Sequence, residues 1–145
     1  MRIAGGGRGI SWTRTLAVWL LLTAAEVVHG TVRAILLAPR VGDHRSRQIG
    51  VFTGSAIILA LSGLTIRWLG VRRTPDLLAI GGVWLILTVA FEVALGRLAF
   101  GYSWTRVTED FDPRRGGLLP FGLAVLALAP LITARLRLPP ERRER

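Results

Sequence analysis

The sequence predicts an all-α protein, a bundle of four transmembrane helices. Three observations predict it. Apolar residues, 51% of the 145, fall in long blocks and do not alternate with polar ones at helix or strand period. Charged residues collect between these blocks and at the chain ends. The mean hydropathy is +0.48 in spite of 19 basic side chains. This is the pattern of a polytopic membrane protein. Helices follow rather than a barrel, because barrel strands would change character every second residue.

The four blocks cover 15–38, 49–68, 77–100 and 118–134. A hydrocarbon core of ~30 Å needs about 20 helical residues at ~1.5 Å each. The first and third blocks exceed that length and can tilt; the second meets it. The fourth is short and holds two prolines. Pro120 suits a first helical turn, where its missing N–H costs nothing. Pro130 falls inside the helix and should bend it, freeing the carbonyl of Leu126. The chain thus divides into a flexible Gly-rich tail (1–14), a transmembrane domain (15–135) and a basic tail (136–145). Residues 1–30 also have the outline of a secretory signal, with Arg2, Arg8 and Arg14 before the apolar run and "TAA" as a cleavage site. The run continues to Ala38, which favours an uncleaved first helix.

The formal net charge is +10, and every basic residue is Arg. That bias points to a GC-rich genome and a bacterial inner membrane. A nucleic-acid partner is not expected, because it would need a basic stripe on a folded face. These arginines flank apolar blocks instead, where they meet lipid headgroups and set topology. Eleven lie on the side of the two termini and the 67–76 turn. Six lie on the other side, or eight with Arg33 and Arg97 near the helix ends. The excess puts both termini in the cytoplasm. Trp12 and Trp68 fit an aromatic belt on that side, Tyr102 and Trp104 one on the other. The lipid bilayer is the expected partner. Four helices enclose little space, so a homo-oligomer or another membrane protein is expected beside it. Cysteine is absent, which excludes disulfides and thiolate chemistry.

A shift of 66 residues lays "EVVHG" (26–30) on "EVALG" (92–96), Arg40-Val41 on Arg106-Val107, and Gly50 on Gly116. One offset aligns both intramembrane glutamates and both loop ends. That reads as two tandem helix pairs, against a null of chance likeness between apolar segments. Each pair returns the chain to its starting side, so the two would be related by an axis along the membrane normal.

The oiliest stretch also carries charge. Glu26 sits at the middle of the first block. At 100° per residue, His29 lies about 60° to one side of it and Arg33 about 20°, so all three share a face. A lone ionised group at the bilayer centre costs ~2.5–3.5 kcal/mol, less if it faces protein, pairs, or becomes neutral. Arg33 stands ~10 Å above Glu26, with His29 between them. On the third block, Glu92 and Arg97 are about 140° apart and cannot pair simply. Cross-helix pairs suit them better: Glu26 with Arg97, or Glu92 with Arg33. The candidate intramembrane cluster is therefore Glu26, His29, Arg33, Glu92 and Arg97.

Two readings of it stand side by side. It holds helices in register, as buried polar contacts do. Or it forms a pocket for protons, ions or a small ligand. A metal site is disfavoured, since His44 falls in a loop and no HExxH spacing occurs; no cofactor is expected. An enzyme is not expected either. Ser55, Ser62 and Ser103 lack the Gly-x-Ser-x-Gly setting of a nucleophile elbow.

Gly50 and Gly54 form a GxxxG, extended by Ala56 and Ala60, and Ala90 and Ala94 repeat the spacing on the third helix. Small residues there mark helix-packing faces. "RVGDHRSRQIG" (40–50) is polar and opens the second helix; it reads as a solvated connector with helix-entry charges, or as a mouth above Glu26 where Arg45 and Arg47 draw anions.

The string "HGTVR…APRVGDHRSRQIGVFTGS", within residues 26–60, resembles a stretch of small four-helix bacterial inner-membrane proteins without an assigned activity. The resemblance implies an integral four-helix protein and carries over no catalytic or ligand residue. The expectation is a small polytopic membrane protein whose polar cluster serves transport or permeation. The alternative is a structural or assembly subunit of a membrane complex.

Overall fold

The computed structural model describes residues 9–139. Most of the expected N-terminal tail and the last residues of the basic tail, with Arg2, Arg8, Arg142, Arg143 and Arg145, lie outside them. Helix α1 (Trp12–Val32) runs through a π-turn (Arg33–Leu37) into α2 (Ala38–Val41), giving one 30-residue rod. Gly42, at φ 86°, breaks it, and α3 (Asp43–Leu69) returns. Gly70, also left-handed, ends α3. Helix α4 (Thr74–Ala94) opens with proline in its first turn and passes through a second π-turn (Leu95–Ala99). A loop follows with a short helix α5 (Trp104–Glu109) and a 3-10 turn (Pro113–Arg115). Helix α6 (Leu119–Arg137) completes an all-α bundle of four helices long and apolar enough to cross a membrane. The protein is a multi-pass membrane protein.

Helix ends depart from the apolar blocks. The polar 40–50 segment opens the second long helix, as expected, with Asp43, His44 and Arg45 exposed on it. All but Gly42 of it is helical, and α3 begins at Asp43, two turns before its apolar block. His44 therefore lies on a helix rather than in a loop. Polar residues can start a membrane helix beyond the hydrocarbon, where water satisfies them, so hydropathy marks only the buried part. The fourth helix starts at Leu119 with Pro120 in its first turn, as expected, and is continuous through Pro130.

Around the bundle the order is α1, α3, α6, α4, with the fewest approaches between α1 and α4. The apolar core lies toward the end that holds the chain termini: Val18 and Leu22 of α1, Ile58 and Ile66 of α3, Leu77, Ile80 and Trp84 of α4, Leu126 and Ala129 of α6. The tightest crossing is α4 on α6. There Gly81 faces the carbonyl of Ala127, and no side chain could fit between them. Ser62 and Thr133 bond across α3 and α6 at 3.1 Å, and Thr133 also donates to the carbonyl of Ala129. Two tryptophans tie α1 to α4. Trp84, fully buried, donates to the carbonyl of Thr15 at 3.0 Å, and Trp19 donates to the Thr88 hydroxyl at 3.0 Å.

The two π-turned rods recur at an offset of sixty-two residues: Trp12 matches Thr74, and Arg33 matches Leu95. The sequence echo at 66 is one helical turn out of step with these elements. Counted from the helix starts, Glu92 sits about one turn, ~6 Å, nearer the loop end than Glu26.

Candidate functional site

Glu26, His29 and Arg33 follow each other at i, i+3 and i+7 on α1, and their shared face meets α3. The α3 strip that receives them is Ser46, Gly50, Thr53 and Gly54. The Arg33 stem lies where a side chain on Gly50 would be, its Cδ 2.6 Å from that Cβ position. Its Nη1 donates to the buried Ser46 hydroxyl at 2.9 Å. The Glu26 carboxylate lies over Gly54 in the same way, 2.7 Å from the Cβ position. The space over the GxxxG glycines is filled by charged side chains rather than by a helix backbone. Ala90 and Ala94 do not join two helices; both are exposed on α4. The small residue that does join α4 to its neighbour is Gly81, hidden in sequence because its contact is a carbonyl two helices later.

His29 bridges α1 and α3. Its Nε2 is 2.7 Å from the Thr53 hydroxyl and its Nδ1 is 3.3 Å from Oε2 of Glu26. Thr53 has a backbone carbonyl, that of Ile49, to donate to at 3.2 Å, so it is free to accept from Nε2. A single proton then lies between Nδ1 and Oε2, whichever of the two groups holds it. The other carboxylate oxygen, Oε1 of Glu26, is buried and finds no hydrogen-bond partner among the described residues. Such an atom is costly in a low-dielectric interior.

The expected cross-helix ion pairs do not form. Arg33 turns to Ser46, and Arg97 donates to the carbonyl of Tyr102 and stacks over Trp104, Cζ 4.8 Å from the ring centre. The π-turn explains Arg97: it re-aims the last turn of α4 and lets Tyr102 N–H return to the carbonyl of Gly96 at 2.8 Å. Among the described residues Glu92 forms no ion pair, and the charges that act on it are carboxylates, Asp110 and Glu26. The structure thus brings Glu26, His29 and Arg33 together with Glu92 nearby, and leaves Arg97 apart.

Asp110 was not legible as part of this site. It arrives on the loop after α5, fixed there by Gly117, whose Cβ would strike the carbonyls of Glu109 and Asp110. Arg47 Nε holds the Asp110 carboxylate at 3.3 Å, and Arg47 Nη1 holds that of Asp43 at 3.2 Å. Arg106 Nη2 donates to Asp43 at 2.8 Å, and that bond holds the Arg106 guanidinium above its ordinary value. Gln48 donates to the carbonyl of Gly116 at 3.1 Å. These contacts fold the loop back onto the first turns of α3, at the end of the bundle nearest the glutamates. The signal in sequence was the run Glu109, Asp110, Asp112 facing Arg45 and Arg47, but no local spacing says which pairs form. Among the described residues no three metal-binding side chains converge. No protein-family model matches the chain, and neither the curated proteins nor the solved structures offer a similar protein, so residues 26–60 gain no family from their resemblance.

Proposed function

We propose that this is a transport or permeation protein of a bacterial inner membrane that passes protons or a small cation through the Glu26–His29–Glu92 pocket. The observation that carries the reading is the pair of glutamates without a basic partner strong enough to fix their charge. Oε1 of Glu26 is buried and unpartnered, while Arg33 bonds to Ser46 and Arg97 lies apart on the Tyr102 carbonyl. Glue between helices would pair these groups, since an uncompensated charge at that depth destabilises the fold. A site that must release its ion is better left unpaired. The proton between Glu26 and His29 is the mobile species, and Glu92 then Asp110 lead from it to the loop end. The arginine excess supports cytoplasmic termini, so that end is periplasmic. The protein is not an enzyme in this reading.

The second reading, an assembly subunit or homo-oligomer, draws on α1. Val28 and Ile35 on that helix are about two-thirds exposed, at 64% and 65%, and the helix is the least covered of the four. Purified protein in liposomes, with a pH dye inside and an imposed potassium diffusion potential, separates the two. The wild type should carry protons and Glu26→Gln should not, with equal folded yield. Vesicles no leakier than empty ones, or flux that survives Glu26→Gln, would refute transport through this pocket. A tag at residue 145, protected from protease in intact spheroplasts, checks the orientation.

A further inference from the structure

Away from the polar pocket, the outer face of α4 carries an open groove of about 930 Å³. Leu85, Val89, Ala90, Val93 and Ala94 line it, and Arg97 and Trp104 close its loop end. Ala90 and Ala94 leave the hollow, because a larger side chain at either would fill it. From Leu85 to Leu98 the groove runs ~20 Å along the helix, somewhat more than one leaflet of a ~30 Å hydrocarbon core. Its walls are almost wholly apolar until the arginine.

We infer that this groove binds one phospholipid with an anionic headgroup, its acyl chain along α4 and its phosphate on Arg97. Three observations converge on that occupant. Arg97 has no carboxylate partner among the described residues; its Nη1 donates to the Tyr102 carbonyl, which leaves further N–H groups of the five free. Its guanidinium is held in place by the Trp104 ring at 4.8 Å rather than free to sweep through solvent. A planar guanidinium so oriented presents two parallel donors to a phosphate. The depth also fits. Phe100 and Tyr102, stacked at 5.4 Å, and Trp104 are all exposed beside it, as aromatic side chains are at headgroup level. The comparison with α1 sharpens the point. Arg33, in the other π-turn, is half-buried, lies over Gly50 on α3 and spends an N–H on Ser46. A zwitterionic headgroup supplies the same phosphate, but its own ammonium competes for it.

The test is native mass spectrometry of the full-length protein in detergent, titrated separately with phosphatidylglycerol and phosphatidylcholine. The wild type should bind phosphatidylglycerol about tenfold more tightly, because the choline ammonium of the other lipid competes with Arg97 for the phosphate. Arg97→Gln should abolish that preference. Arg40→Gln, at another exposed arginine of the same end whose Nη1 also donates to a backbone carbonyl, should keep it. Ala90→Trp, which fills the groove and leaves Arg97 in place, should weaken both lipids. Equal affinities in the wild type, a preference that survives Arg97→Gln, an equal loss in Arg40→Gln, or unchanged binding in Ala90→Trp would each overturn the inference. If Arg97→Gln does not fold, Ala90→Trp and Arg40→Gln still decide it. None of these outcomes depends on proton flux.

Discussion

Gly81 and Gly54 are both buried glycines on transmembrane helices, and what fills the space at each is different. At Gly81, toward the chain termini, the space belongs to a backbone carbonyl of α6. At Gly54, toward the loops, it belongs to the carboxylate of Glu26. The same contrast runs through the two halves of the bundle. The terminal half is closed by apolar side chains, with Trp84 and Trp19 satisfying their N–H groups across α1 and α4. The loop half is held by side chains that can move: Arg33 on Ser46, His29 on Thr53, Arg47 between two aspartates. Both π-turns fall in the loop half, where a widened turn breaks the regular helix. One half is closed by apolar packing and the other by contacts between polar side chains.

The largest effect should come from Gly81→Ala. A backbone carbonyl cannot swing aside as a side chain does, so α4 and α6 must separate along their whole crossing. Overpacking costs ~1–3 kcal/mol and occasionally more, and here the gap propagates to Trp84 and Ala129. Folded yield and thermal unfolding in detergent should both fall steeply. An unchanged melting temperature would mean that the terminal half is not the rigid half.

Gly54→Ala should cost the fold far less. The new methyl would meet only the end of a flexible Glu26 side chain, and alanine recovers up to ~1 kcal/mol of helix propensity over glycine. The net change in stability should lie within about 1 kcal/mol of zero. The carboxylate must leave its place, however, and with it the 3.3 Å contact to His29. Proton flux in liposomes should therefore drop while the unfolding curve barely moves. A loss of stability equal to that of Gly81→Ala would erase the distinction between the halves.

Period and hydropathy made the four crossings legible, along with the shared face of Glu26, His29 and Arg33 and the role of Pro120. All of these are set within one helix. What depends on two helices was legible only in part. Gly50 and Gly54 announced a contact face, yet not that charged side chains would fill it. Gly81 carried no motif, because its partner is the carbonyl of Ala127, a group that every residue type presents. The pairings of Arg33 and Arg97 went astray for another reason. Arg33 keeps the face that the count gives it but meets Ser46 of α3 there, whereas Arg97 lies within a π-turn, where the angular count of 100° per residue no longer applies. Asp110 sits on a loop whose course depends on two left-handed or crowded glycines, Gly116 and Gly117, and on α3 having extended to Asp43 to meet it.

The smallest effect belongs to the loop contacts, and it sharpens the contrast between the two halves. Arg47 is mostly covered, with 20% of its side chain exposed, but its partners Asp43 and Asp110 are at 57% and 38%. Exposed pairs of this kind contribute only ~0.2–1 kcal/mol each and weaken with salt. Arg47→Gln should thus lower stability by about 1 kcal/mol at low ionic strength and by less in molar salt. Its effect on flux should run the other way. Freed from Arg47, Asp110 can lift with its loop and open the route from Glu92 to the surface, so proton flux should rise severalfold in low salt. The wild type should approach the same rate as salt screens the contact. Flux that falls in Arg47→Gln would make the arginine a support for the pocket instead of a latch above it. Flux that ignores both the substitution and the salt would place the ion's exit somewhere other than the loop over Asp110.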